Sequence, residues 1–190
     1  VATSEAQRQE LMKQWEDALA DAKARYPDSQ GAQFSDLDLV KGQVSAAKLA
    51  AARAADAPDE ATRQAALTEA SSTFQIAIES LEPILQGLDD QIAQIYKTDP
   101  TGLSNPKHER YQEYGEILKK CDYSHLLISD AHFDWSQTLR DDDAQKVELL
   151  QKALENYKKT YEDHANFNKI TSDSGLGVGK CMGLLGIVQN

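Results

Sequence analysis

Between Val147 and Tyr161 the apolar residues step along the chain by three and four: Val147, Leu150, Leu154, Tyr157 and Tyr161. Leu67, Ala70, Phe74, Ala77 and Leu81 step the same way. At 3.6 residues per turn each series draws one apolar edge along a helix, and such an edge must be buried against a neighbour. β-branched residues are scattered and do not alternate with polar ones, so nothing reads as a strand. The spacing therefore predicts an all-α protein: an antiparallel bundle, or a short helical repeat, of about five helices.

Prolines and glycines set the boundaries. Ser4 with Gln7 makes a capping-box start for a first helix reaching about Arg25. The turn-rich stretch 26–36 precedes a second, Ala-rich helix over about 35–54. Asp56 is the expected cap of a third helix, with Pro58 in its first turn. Pro83 lacks a backbone donor and is expected to kink or end that helix near Leu85, leaving a short helix over 88–97. Residues 97–109 hold two prolines and a glycine and read as a loop. Two long helices follow, over about 110–139 and 142–164. The second opens with Asp141, Asp142 and Asp143, at the positive end of the helix dipole. The chain thus reads as a bundle domain over 1–165 and a Gly-rich tail over 166–190. Gly175, Gly179 and Gly183 stand four apart in that tail, a spacing that would let a helix approach a neighbour closely. The expectation is that the tail packs on the bundle or on a partner.

Three helical segments share a pattern. Asp59, Ala61, Leu67, Ala70 and Glu79 fall on Asp142, Ala144, Leu150, Ala153 and Glu162 when the segments are superposed, with Phe74 on Tyr157. Ala6, Gln7, Glu10 and Leu11 fall on Ala144, Gln145, Glu148 and Leu149. Shared helix-forming composition is one source of such matches and a repeat is the other. Residues 70–83, with Ala70, Phe74, Ala77 and Pro83, resemble the second helix of a tetratricopeptide repeat. The later segment keeps Ala153 and Tyr157 and has Thr160 at the alanine position. The resemblance implies a concave, helix-lined surface that binds a peptide, a partner protein or a small ligand.

The net charge of −11, from 31 acidic and 20 basic residues, repels phosphate backbones and anionic membranes, which argues against a nucleic-acid partner. No run of eighteen apolar residues exists, so no membrane span is expected. The opening VATSEAQ fits a processed mature end, and we expect an extracytoplasmic protein, periplasmic or secreted. Cys121 and Cys181 are too few for a disulfide scaffold; in an oxidising compartment they could form one bridge, and otherwise both are buried thiols.

Chemistry concentrates on the fourth long helix. Its apolar edge runs Tyr114, Leu118, Cys121, His125, Ile128, His132, Trp135, Leu139, so a thiol and two imidazoles share one face. Cys121 and His125 are one turn apart, a spacing at which two side chains reach one metal ion. His132 lies two turns on, about 10.5 Å along the axis, too far for the same ion. A metal site would need His164 or an acid from another helix. We expect instead structural histidines, neutral and bonded to Tyr157, Tyr161 or Asp130. The stretch 175–181 is only superficially like a phosphate loop, with Ser174 and Cys181 at two key positions. No nucleophile elbow, zincin motif or dinucleotide fingerprint is present. The reading is a non-catalytic binding or assembly protein, without a cofactor, whose partner is another protein or its own copies. The alternative is a metal- or haem-binding bundle using His125, His132 or His164.

Overall fold

The computed structural model describes residues 5–26, 30–162 and 169–188. Among these residues there are six α-helices and no strand: α1 (Glu5–Arg25), α2 (Gln30–Ala55), α3 (Glu60–Thr98), α4 (Tyr111–Ser136), α5 (Ala144–Glu162) and α6 (Lys169–Val188). The all-α expectation holds, with one helix more than the sequence suggested. The chain divides within α2, near Gly42, into two units. In the first, the Trp15 ring closes on Gly42. A Cβ added there would come within 2.5 Å of the ring, so the approach needs a glycine.

In the second unit α3, α4, α5 and α6 pack in chain order, and α6 also meets α4. Successive helices run antiparallel: His125 of α4 lies against Asn156 of α5, while Lys146 near the start of α5 reaches the Leu139 carbonyl just past the end of α4. Asp89 of α3 meets Cys121 and His125 of α4. Tyr157 of α5 meets Asp130. Tyr161 and Tyr157 cover Gly175 and Gly177 of α6. The end of α2 is tied in by ion pairs from Lys48 to Asp134 and from Arg53 to Glu69.

Two boundaries differ from expectation. Asp59, not Asp56, caps α3: its Oδ1 accepts from the Thr62 backbone N–H at 2.7 Å, with Asp59 itself in an extended conformation. More consequentially, α3 continues without interruption from Glu60 to Thr98, with Pro83 inside it. Pro83 and Glu79 are both exposed, so the Glu79 carbonyl, left without its donor, is on the wet side of the helix. Opposite them Phe74, Ala77, Ile78, Leu81, Leu85, Leu88 and Ile95 are buried, and that unbroken apolar edge carries the helix through the proline.

The α4 helix is the central element. From Cys121 to His132 it is buried or nearly so on every side, not along one edge. Its buried hydroxyls are absorbed locally: Ser124, Ser129 and Ser136 each donate to a carbonyl one turn back. Leu126, Leu150, Ala153, Tyr157, Cys181 and Leu185 form the core between α4, α5 and α6. The Gly-rich stretch is thus helix α6 and lies along α5. Among the described residues no helix is long and apolar enough to cross a membrane.

Candidate metal centre

The continuation of α3 past Pro83 brings Asp89, one turn beyond Leu85, opposite Cys121 and His125 on α4. The Cys121 thiol donates to Asp89 Oδ1 at 3.2 Å. His125 Nε2 lies 3.0 Å from the same oxygen. One carboxylate oxygen, one sulfur and one imidazole nitrogen therefore lie within 4.8 Å of one another. Cys121 and His125 are buried. The Asp89 side chain is 38% exposed, which opens the group to solvent on one side.

The imidazole is oriented from behind. His125 Nδ1 lies 3.2 Å from Asn156 Oδ1, and Asn156 Nδ2 donates to the Lys152 carbonyl at 3.0 Å. With its amide nitrogen committed, Asn156 presents oxygen to the ring, so Nδ1 carries the hydrogen. Nε2 is then the ring atom turned toward Asp89, with its lone pair placed to ligate a cation there. Holding a ligating imidazole through its far nitrogen is how protein metal sites fix ring tautomer and direction.

Burial, more than any neighbour, pushes the Cys121 thiol far above its usual range. The hydrogen bond to Asp89 and the negative charges of Asp89 and Asp122 add to this, and Lys159 opposes it. Without a cation the sulfur stays protonated and is a poor nucleophile. A divalent ion between Asp89 Oδ1, Cys121 Sγ and His125 Nε2 would reverse that balance, because it displaces the thiol proton and stabilises thiolate and carboxylate together. Tetrahedral coordination at about 2.0 Å to nitrogen and oxygen and about 2.3 Å to sulfur sets ligand atoms about 3.3–3.5 Å apart. The two distances to Asp89 Oδ1, 3.0 and 3.2 Å, need to open by a few tenths of an ångström, and the sulfur–nitrogen pair, within 4.8 Å, needs to settle at about 3.5 Å.

A cavity of about 380 Å³ adjoins the triad, lined among others by Asp122, Lys159 and Thr160. A more open one, of about 630 Å³, lies on the other side of Asp89 and holds His132. His132 takes no part in the triad. Its Nδ1 bonds the Ile128 carbonyl at 2.9 Å, and burial lowers its pKa to about 4, so it is a neutral core histidine.

The structure thus brings Cys121 and His125 together with an acid from another helix and keeps His132 apart. His164 lies outside the described residues. The hydrogen-bond partners expected for the histidines are replaced. Tyr157 donates to Asp130 at 2.6 Å, while His125 meets Asp89 and Asn156 and His132 meets its own helix. Cys121 and Cys181 are both free thiols in different surroundings, Cys121 beside Asp89 and Cys181 in the core, with burial pushing the latter up to about 11. Asp89, Asn156 and Thr160 were missed from the sequence. Asp89 follows the stripe Leu81, Leu85, Leu88 and would have been found had α3 been extended through Pro83. No family model, curated protein or solved structure matches this chain.

Proposed function

We propose that this chain is a helical metal-binding protein that takes up one divalent transition-metal ion of the zinc class through Asp89, Cys121 and His125. The observation that carries this reading is the convergence of sulfur, nitrogen and oxygen donors from two helices onto one point, with the imidazole held from behind by Asn156. A thiolate with an imidazole and a carboxylate suits zinc, and a thiolate disfavours magnesium or calcium. A haem between His125 and His132 has less support. Seven residues apart on one helix, they cannot stand on opposite faces of one iron.

Titration calorimetry of the reduced protein with Zn²⁺ tests the reading. The expected result is one ion per chain, with affinity falling as pH falls because the Cys121 proton must leave. Cys121→Ser and His125→Ala should each weaken binding by an order of magnitude or more, and Asn156→Leu by about tenfold. Binding that persists unchanged in Cys121→Ser would overturn it.

A second reading, a non-catalytic assembly protein, is supported by the outer face of α6. Leu176 and Met182 are 61% and 57% exposed there. At Gly179, Gly183 and Gly186 an added Cβ would meet open space. Sedimentation velocity on wild type and Leu176→Glu tests it. A concentration-dependent association lost in the variant supports the reading, and a monomer at all concentrations removes it.

A further inference from the structure

The three donors leave a tetrahedral ion one ligand short, and the surroundings of the triad say what would complete it. Among the described residues no fourth His, Cys, Asp or Glu joins the cluster. The adjoining cavity, at about 380 Å³, is large enough to hold water or a small ligand beside the triad. Thr160 of α5 lines it. This residue is 1% exposed, and its hydroxyl has no hydrogen-bond partner among the described residues.

Most hydroxyls in these helices are satisfied locally; Thr160 shares its lack of a partner with Ser174 of α6, which does not line the cavity. Thr68, Thr73, Thr98, Ser124 and Ser129 all close their hydroxyls onto the carbonyl four residues back. Thr160 forgoes the same bond. A buried hydroxyl without a partner is costly and calls for a ligand that supplies one.

We propose that the ion held by Asp89, Cys121 and His125 has an exchangeable fourth position facing this cavity, where Thr160 Oγ1 hydrogen-bonds the donor atom of a small monodentate ligand. The inference rests on the metal-binding reading above. Water fills the position at rest, and a small monoanion can replace it. The charges admit either ligand: a divalent ion, thiolate and Asp89 carboxylate sum to zero, and Lys159 and Asp122 contribute one charge of each sign to the cavity wall, so no net charge repels a monoanion. A hydroxyl can both donate and accept, so Thr160 serves water and anion alike.

Cobalt(II) substitution with azide as the probe tests this. Co²⁺ bound to Cys121 gives a thiolate charge-transfer band and the visible bands of a four-coordinate ion. Azide should shift the visible bands saturably and leave the thiolate band in place. Thr160→Val should bind cobalt normally but take azide about tenfold more weakly, and Thr160→Ser should restore it. Absence of a thiolate band in the wild type overturns the metal-binding reading itself. A thiolate band with visible bands indifferent to azide overturns the exchangeable position alone. That indifference, relieved in His164→Ala, would identify the closing ligand as the histidine four residues after Thr160. Equal azide affinity in wild type and Thr160→Val overturns the role given to Thr160.

Discussion

Replacing Gly177 and Gly179 by alanine, one at a time, should separate two glycines of one helix by their effect on stability. Both lie within α6, and neither has a positive φ. On helix propensity alone each substitution should stabilise by about 1 kcal/mol. At Gly179 nothing lies within 4 Å of the new methyl, so that gain should appear in full. At Gly177 the methyl would lie 2.5–2.6 Å from three carbons of the Tyr157 ring. Ordinary carbon contacts are about 3.5–4.0 Å. The ring cannot swing away cheaply: it is buried, and its hydroxyl is anchored to Asp130. Overpacking of this kind costs about 1–3 kcal/mol. Gly177→Ala should therefore be neutral to clearly destabilised, and the two variants should differ by about 1–3 kcal/mol. Urea unfolding followed by circular dichroism reads this as a midpoint gap on the order of 1 M, given a slope of about 1–3 kcal/mol per molar. In a Tyr157→Ala background the gap should close, since the obstructing ring is gone. Equal stabilisation by both alanines in the wild-type background would show that α6 does not rest on Tyr157, and the packing of the second unit would have to be redrawn.

Other outcomes follow from the same contacts. Phe74, with no exposed surface, should cost about 3–5 kcal/mol as Phe74→Ala in the same urea assay. His132 binds its proton less readily when folded, with a pKa of about 4 against 6.5. Its contribution is complete above about pH 6.5 and is lost as pH falls toward 4, by up to about 3 kcal/mol. His132→Asn should flatten that part of the stability–pH curve, and an unchanged slope would place the acid sensitivity elsewhere. Zinc at a hundredfold over its dissociation constant should stabilise the wild type by about 2.7 kcal/mol, but not Cys121→Ser, in thermal melts. Cys181→Ser should keep the zinc effect, since that thiol lies in the core away from the triad.

The fold was legible because its helices carry their own evidence. The series Ala70, Phe74, Ala77, Leu81 is fully buried, and Leu150 and Tyr157 are buried in α5. Where the reading failed, a local rule met a tertiary condition. Pro83 removes a donor, and that breaks a helix only where the freed carbonyl is denied water. Tyr161 continues the numerical stripe of α5 yet is 47% exposed, because the buried face turns through Ala153 and Thr160 instead. Half of the candidate site was legible as well. Cys121 and His125 announce themselves by their spacing on one helix. Asp89 and Asn156 come from other helices and sit 32 residues before Cys121 and 31 after His125. Only the register of the packed helices brings them there, and a single sequence does not contain that register. Thr160 reads as an ordinary helical threonine until the absence of its backbone bond is seen.

X-ray absorption at the zinc edge of the loaded, reduced protein addresses the metal centre most directly. One sulfur scatterer at about 2.3 Å, with nitrogen and oxygen neighbours at about 2.0 Å and an imidazole signature, is the expected shell. It should lose its sulfur in Cys121→Ser. A shell of nitrogen and oxygen alone in the wild type, or one with two sulfurs, would contradict the site built from Asp89, Cys121 and His125.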